Sequence, residues 1–201
     1  MKAKIFSIIM LSGLLAAGCA EQGTVNIDIE NDEAGAVMAL DYRDFDQAAS
    51  KMIQSLLGSG RLQKDDGGRY VIATGRIKND TMQRIDTDQL MVKIERDLTN
   101  SGQAVFSAAV GANTDELLHD SRDLRDSDEF DTTTTAAKRT LIAPELTIDG
   151  KIFQRNIKLD RNKQQVEYYF HLSLNNVTTG LTFWQDEVLV GKRGSDRSVA
   201  W

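Results

Sequence analysis

The chain is poor in three residue types, and each scarcity excludes a class of protein. Cys19 is the only cysteine among 201 residues, so no disulfide can form within the chain and packing alone must stabilise its fold. Aromatic residues amount to 6%, which is too few to indicate a groove that stacks sugars. Basic residues are outnumbered, 24 against 30, and this acidic balance argues against nucleic acid as a partner.

Groups that could carry catalysis are equally sparse. The two histidines, His119 and His171, fall on a predicted helix and a predicted strand, and neither has a cysteine partner. Catalysis by either would need a serine or a carboxylate brought close by folding, because the sequence contains neither G-x-S-x-G nor H-E-x-x-H. The sequence therefore predicts a protein that is not an enzyme, with no catalytic residue, no metal and no cofactor.

Acidic side chains crowd one segment in the second half of the chain. Arg122 and Arg125 interrupt the series, which also lacks the central glycine and the closing glutamate of a calcium-binding loop. It predicts a solvated helix face that runs into a loop rather than a metal site. The acidic residues are Asp120, Asp123, Asp126, Asp128, Glu129 and Asp131.

What the chain does contain begins with an export signal. Lysines at positions 2 and 4 precede an apolar stretch over residues 5–15, which is too short to span a bilayer as a stable helix. The small residues Ala16, Ala17 and Gly18 follow Leu15 and lead to Cys19. This order predicts a lipoprotein signal peptide over residues 1–18, with the signal peptidase recognising residues 15–18 and cleaving before Cys19.

Cys19 is then the predicted site of lipid attachment, with a diacylglycerol on its sulfur and an acyl chain on its new amino group. The usual motif has leucine three residues before the cysteine, where this chain has Ala16. Residue 20 is alanine rather than the aspartate typical of inner-membrane retention, which favours an outer-membrane anchor facing the periplasm. The alternative is ordinary signal cleavage, with Cys19 a free thiol.

Residues 19–39 are polar, acidic and without proline, and they predict a short tether. Fully extended, such a tether reaches at most ~70 Å. The alternation of Val25, Ile27 and Ile29 is also compatible with a short edge strand.

The remaining residues, 40–201, predict one domain. Apolar residues at helical spacing predict a first helix that begins near Asp44 or Asp46 and ends at Gly58, and a second from Thr87 to about Asn100. A third is predicted through Leu117 and a fourth over about residues 136–142.

Strands are predicted over residues 70–77 and 104–109, and beyond Pro144 the hydrophobic period changes to two. This period predicts three consecutive strands over residues 146–159, 165–175 and 181–190. The predicted fold class is α+β, with a small, mainly antiparallel sheet of about four to five strands covered by about four helices.

Several segments of the domain resemble the LpoB family of periplasmic lipoproteins, which are named as activators of penicillin-binding proteins. These segments are LDYRDF at 40–45, GKIFQRN at 150–156, QVEYYF at 165–170 and TGLTFW at 179–184. The resemblance implies a fold like the amino-terminal domain of TolB. It also implies a non-catalytic lipoprotein that binds a class A penicillin-binding protein and stimulates peptidoglycan synthesis. Known members carry a long proline-rich tether, which this chain does not.

Two alternatives remain open at this stage. The chain could be a non-catalytic component of an envelope or secretion assembly, because TolB-like domains also occur in such machines. Tyr42, Arg43 and Phe45 could form an exposed anchor for the partner, or they could fasten the beginning of the first helix. The sequence does not identify the partner-binding residues or the oligomeric state.

Overall fold

The structure, a computed structural model, describes residues 37–195 and residue 197. The predicted signal peptide, Cys19 and nearly all of the predicted tether lie outside the described residues. In chain order the elements are α1 (Tyr42–Gly58), β1 (Tyr70–Asp80), α2 (Thr87–Asn100), β2 (Ala104–Gly111), α3 (Glu116–Asp123), a 3-10 turn (Leu124–Asp126), β3 (Leu146–Asp160), β4 (Lys163–Asn176) and β5 (Thr182–Ser195).

The five strands form one mixed sheet in the order β2-β1-β3-β4-β5. β1 pairs in parallel with both β2 and β3, whereas the pairs β3–β4 and β4–β5 are antiparallel. The prediction of a mainly antiparallel sheet is therefore wrong for the first half of the sheet. Short turns join the last three strands and favour antiparallel neighbours, but longer connections containing helices separate β1, β2 and β3 and return the chain in the same direction.

Helix α1 begins at Tyr42, with Asp41 as its N-terminal cap, and therefore starts before both predicted positions, Asp44 and Asp46. The side chain of Asp41 accepts hydrogen bonds from the backbone amides of Arg43 and Asp44, and the Asp44 carboxylate accepts one from the Asp41 amide at 2.9 Å. This reciprocal capping satisfies amides at the beginning of the helix that have no partner within it. Asp44 therefore contributes to the cap from inside the helix. At the other end the left-handed residue is Gly60, with φ 70°, rather than Gly58.

One face of the sheet is covered by α1 and α2, and the core lies between these layers. Alternate residues of β4 from Val166 to Leu174 are at most 1% exposed, as the period of two predicts. Among them Tyr168 donates its hydroxyl to the backbone oxygen of Met38 at 3.1 Å. Burial, together with the nearby charge of Asp44, raises the pKa of Tyr168 to about 12. The helices contribute Ala48, Ala49, Met52, Ile53, Leu56, Leu90, Met91, Ile94 and Leu98.

The described residues contain three α-helices, not the four that the sequence predicts. The missing helix is the one predicted over residues 136–142, which form turns, a bend and irregular backbone. Leu141 and Ile142 are 49% and 75% exposed, so the apolar residues of this segment cover no core surface. Arg139 has a φ of 66°, and this left-handed conformation is incompatible with a continuous right-handed helix.

A buried ion pair joins the beginning of α1 to the last strand. The Lys192 Nζ lies 2.7 Å from the Asp44 Oδ2, and the two side chains are only 10% and 11% exposed. The same nitrogen is 4.0 Å from the Asp41 Oδ2. Burial alone would raise the pKa of Asp41, but hydrogen bonds from Arg43 and the backbone, with the charge of Lys192, hold that pKa below its ordinary value.

We expect Lys192→Met to destabilise the domain by about 3 kcal/mol, because the substitution leaves the Asp44 carboxylate buried without its cation. The measurement is the free energy of unfolding in urea. Lys158→Met is the matched control, since Lys158 is an exposed lysine on β3, which belongs to the same sheet but is separated from β5 by β4. Equal unfolding midpoints for the two variants would show that the pair does not hold α1 to β5.

Candidate partner-binding surface

The beginning of α1 is the first candidate surface, and its residues are engaged within the domain. The ring of Phe45 packs edge-on against Phe170, with ring centres 5.8 Å apart. The Arg43 Nη2 lies 2.8 Å from the Asp41 Oδ2, and its guanidinium lies 5.7 Å from the ring centre of Tyr42. These contacts favour the interpretation in which the three predicted residues fasten the beginning of the first helix, and Phe45 in addition contacts the sheet.

The two histidines lie on different elements. The His119 Nε2 in α3 is 3.0 Å from the backbone oxygen of Ala109, whereas His171 in β4 stands opposite Lys151 and Glu187. Across residues 37–195, no three His, Cys, Asp or Glu side chains are grouped so that they could hold a metal ion. No helix in that range is long and apolar enough to cross a membrane.

A second candidate is the sheet face opposite the helices. Phe153 and Tyr169 stack there across β3 and β4, with ring centres 4.7 Å apart and planes within 2°. Leu189 of β5 stands next in the same row and is 51% exposed. The Tyr169 hydroxyl donates to the Glu167 carboxylate at 2.7 Å, and this bond holds the pKa of Glu167 below its usual value. Charged residues of both signs border this short apolar row.

A third candidate lies at the end of the sheet where β1 begins. The rings of Tyr70 and Phe183 meet edge-on at 5.6 Å, and the guanidinium carbon of Arg61 lies 5.9 Å from the ring centre of Phe183. The Lys64 Nζ lies 4.9 Å from the ring centre of Tyr70 and 2.8 Å from the Glu145 Oε2. The hydrogen bond to Glu145 raises the pKa of Lys64. This cluster therefore joins the α1–β1 loop to the beginning of β3.

The fourth candidate is residues 112–144, which make up all but the last residue of the chain between β2 and β3 and which we call the β2–β3 connection. None of its residues is buried, although it makes up 33 of the 201 residues and includes α3. Leu117 is 72% exposed and Ile142 is 75% exposed, and Phe130 and Leu141 are about half exposed. Because an apolar side chain in water contributes nothing to the core, these residues have no evident role in holding the fold together.

Polar contacts hold the β2–β3 connection in place. The Arg122 Nη2 donates to the backbone oxygen of Ala137 at 3.0 Å and to the Thr140 hydroxyl at 3.1 Å, and thereby joins α3 to the following loop. The Lys138 Nζ lies 3.0 Å from the Asp126 carboxylate, and its hydrogen bond holds the pKa of Asp126 below its ordinary value. Such contacts stabilise a structure only weakly, because water and salt screen exposed charges.

The β2–β3 connection is also the acidic part of the domain over residues 40–201. It carries eight acidic and four basic residues, a net charge of −4, against −6 for the whole sequence. The acidic series predicted as a solvated face lies here, and its six members are exposed. The sequence interpretation did not find the exposed apolar residues, because it placed Leu141 and Ile142 in a helix that does not form. The 19 residues from 127 to 145 contain neither helix nor strand in the structure, but the sequence interpretation placed a helix among them, so the length of this loop gave no signal.

The sequence model for the peptidoglycan-synthase activator LpoB matches residues 44–190. The chain belongs to the LpoB family. This confirms the resemblance found in its sequence segments, and the family's description assigns it a general role in activating peptidoglycan synthases. That role is consistent with a protein that is not an enzyme.

Solved structures of LpoB are among the proteins similar to the chain. The C-terminal domain of LpoB from Escherichia coli is 12% identical, with a TM-score of 0.43, and the alignment covers 73% of this chain and 98% of that one. The same domain from Salmonella enterica is 13% identical with the same coverage and a TM-score of 0.41. The NMR structure of E. coli LpoB is 11% identical, with 98% and 84% covered and a TM-score of 0.37. No curated protein sequence matches the chain.

We expect Arg122→Ala to loosen the β2–β3 connection without unfolding the domain, because the lost hydrogen bonds are exposed and join two segments of that connection only. Hydrogen exchange of residues 127–143 should become faster, while the urea midpoint of the whole domain changes little. The control is Arg84→Ala, which removes an exposed arginine from the β1–α2 loop. It should change neither the hydrogen exchange of residues 127–143 nor the urea midpoint. Unchanged exchange in the Arg122 variant would contradict this account of what orders the loop.

Proposed function

We propose that the chain is a lipoprotein of the outer membrane that binds a class A penicillin-binding protein in the periplasm and activates it, without catalysis of its own. The observation that carries this proposal is the family match over residues 44–190. The predicted attachment of lipid at Cys19, after residues 15–18, supports the location. Residues 19–39 then serve as the tether, and residues 40–201 as the binding domain.

Activation by a protein without catalytic groups of its own requires a difference in affinity. The domain must bind the active conformation of the synthase more tightly than the inactive one, because a ligand that binds both equally shifts no equilibrium. A coupling of about 1 to 3 kcal/mol corresponds to a stimulation of about 5- to 150-fold where the inactive conformation predominates.

The length of the tether limits which partner can be reached. The predicted tether spans at most ~70 Å when fully extended, and a flexible coil of this length spans nearer ~25 Å. A synthase anchored in the inner membrane must therefore extend toward the outer membrane, or the periplasm must be thin where the two proteins meet. The binding surface of the synthase is accordingly expected far from its own membrane anchor.

The activating function is tested with the lipidated full chain and the class A penicillin-binding protein of the same organism, both in detergent. We expect the two to bind, and we expect glycan polymerisation and peptide cross-linking to become at least about fivefold faster. A synthase that neither binds the chain nor changes its rate would refute the proposal. Recovery of only secretion components from solubilised envelopes would then favour the assembly alternative.

Anchoring is tested independently by Cys19→Ser. The substitution removes the only thiol in the chain, so labelled palmitate should no longer be incorporated and the protein should leave the outer-membrane fraction. Ser12→Ala, a change in the apolar part of the leader, is the control and should leave both readouts as they are. Palmitate incorporation that persists in the Cys19 variant would show that the lipid is attached elsewhere.

A further inference from the structure

We propose that the β2–β3 connection, residues 112–144, is the surface with which the chain docks on its synthase, and that it meets a face of the synthase that is basic and partly apolar. This inference rests on the proposed function and adds to it a location and a partner chemistry. Four observations carry it: the exposure of apolar side chains, the length of the loop, its charge and the nature of the competing surfaces.

The first observation is the concentration of exposed apolar side chains in a segment that buries none. Leu117 and Ile142 are among the most exposed large apolar residues of the described part of the chain, at 72% and 75%, and Phe130 and Leu141 lie in the same connection. Single exposed apolar residues are normal on protein surfaces, but several in one segment that contributes nothing to the core indicate an interaction site.

The second observation is the length of the loop. The last 18 residues of the connection, 127–144, contain neither helix nor strand, whereas connections inside compact domains are commonly much shorter. Loops of this length are commonly functional when they are ordered. Arg122 orders this one by binding the backbone at Ala137 and the hydroxyl of Thr140 from α3.

The third observation is charge, which decides the chemistry of the occupant. The connection has a net charge of −4, whereas the rest of residues 40–201 carries 17 acidic and 18 basic residues, a net charge of +1. The acids are exposed. In the sequence, Asp120 follows Leu117 by three residues, and Asp128 precedes Phe130 by two. An acidic surface repels anionic lipid and anionic glycan strands and attracts a basic protein face.

The competing surfaces lack this combination. On the open sheet face, Phe153, Tyr169 and Leu189 form a short row bordered by charges of both signs. At the end of the sheet, the cation of Lys64 is already paired with Glu145. Neither surface offers apolar exposure together with a net charge of one sign, so neither indicates a partner of one particular chemistry.

The test compares two pairs of substitutions in the connection with the wild type, using the lipidated full chain and the purified class A synthase. Leu117→Ser with Ile142→Ser removes apolar contact, and we expect binding to weaken about tenfold or more. Asp120→Lys with Asp128→Lys reverses charge, and we expect slower association and a smaller loss of affinity on raising the salt concentration.

Matched controls carry the same chemistry elsewhere on the surface. Leu181→Ser with Leu189→Ser changes two leucines that are 67% and 51% exposed. Asp65→Lys with Glu187→Lys reverses two exposed acids outside the connection. Both controls should bind within about twofold of the wild type, and urea midpoints should be alike for all four double variants because every changed residue is exposed.

Each outcome separates the inference from the function on which it rests. If the wild type binds and stimulates the synthase but both connection variants behave like the controls, the location is wrong and the activating function stands. Tighter binding by the charge-reversed variant would show that the partner face is acidic, which contradicts the proposed chemistry. If the wild type neither binds nor stimulates, the proposed function fails, and the inference fails with it.

Discussion

Burial of one face of β4 is the constraint on which the rest of the domain depends. The strand lies between β3 and β5, and its alternate residues from Val166 to Leu174 are almost completely buried. Tyr168 and Phe170 are the largest of them, and both contact residues more than 100 positions earlier in the chain. Tyr168 donates a hydrogen bond to Met38 before α1, and Phe170 packs against Phe45 within α1. The position of α1 therefore follows from the pattern of β4.

The buried ion pair between Asp44 and Lys192 also holds α1 against the sheet. Contacts between apolar surfaces are not directional, whereas a buried carboxylate must stay beside its cation. Because Asp44 also closes the cap with Asp41, the first turn of α1 and the end of β5 are ordered together. The contacts that stabilise the domain thus lie mainly between the helices α1 and α2 and one face of the sheet. The opposite sheet face and the β2–β3 connection take no part in them.

Local pattern predicted much of this fold, and the errors have physical causes. The last three strands and both core helices follow from hydrophobic periods that extend over 10 or more residues. The parallel pairing of β1 with β2 and β3 is a contact between distant segments, which no local period records. The fourth helix was predicted over residues 136–142 with Pro144 marking its end, and it does not form because Leu141 and Ile142 have no core to cover.

The proposed docking surface was harder to predict than the fold. Tyr42, Arg43 and Phe45 have the composition of an interface, yet their contacts in the structure are within the domain. Composition alone cannot separate the two roles, because the same aromatic and arginine side chains serve helix ends and interfaces. The β2–β3 connection is recognised only when exposure is known, since its apolar residues resemble those of an ordinary amphipathic helix in the sequence.

A docking surface without buried residues has a consequence for how activation can work. Substitutions there change affinity with little effect on folding, so the surface can adapt to its synthase while the β4 core remains unchanged. Binding through such a surface costs conformational entropy, because a loop held only by exposed polar contacts loses conformational freedom when a partner orders it. Exposed apolar side chains such as Leu117 and Ile142 must offset that cost, since exposed charge contributes more to the rate of encounter than to the affinity.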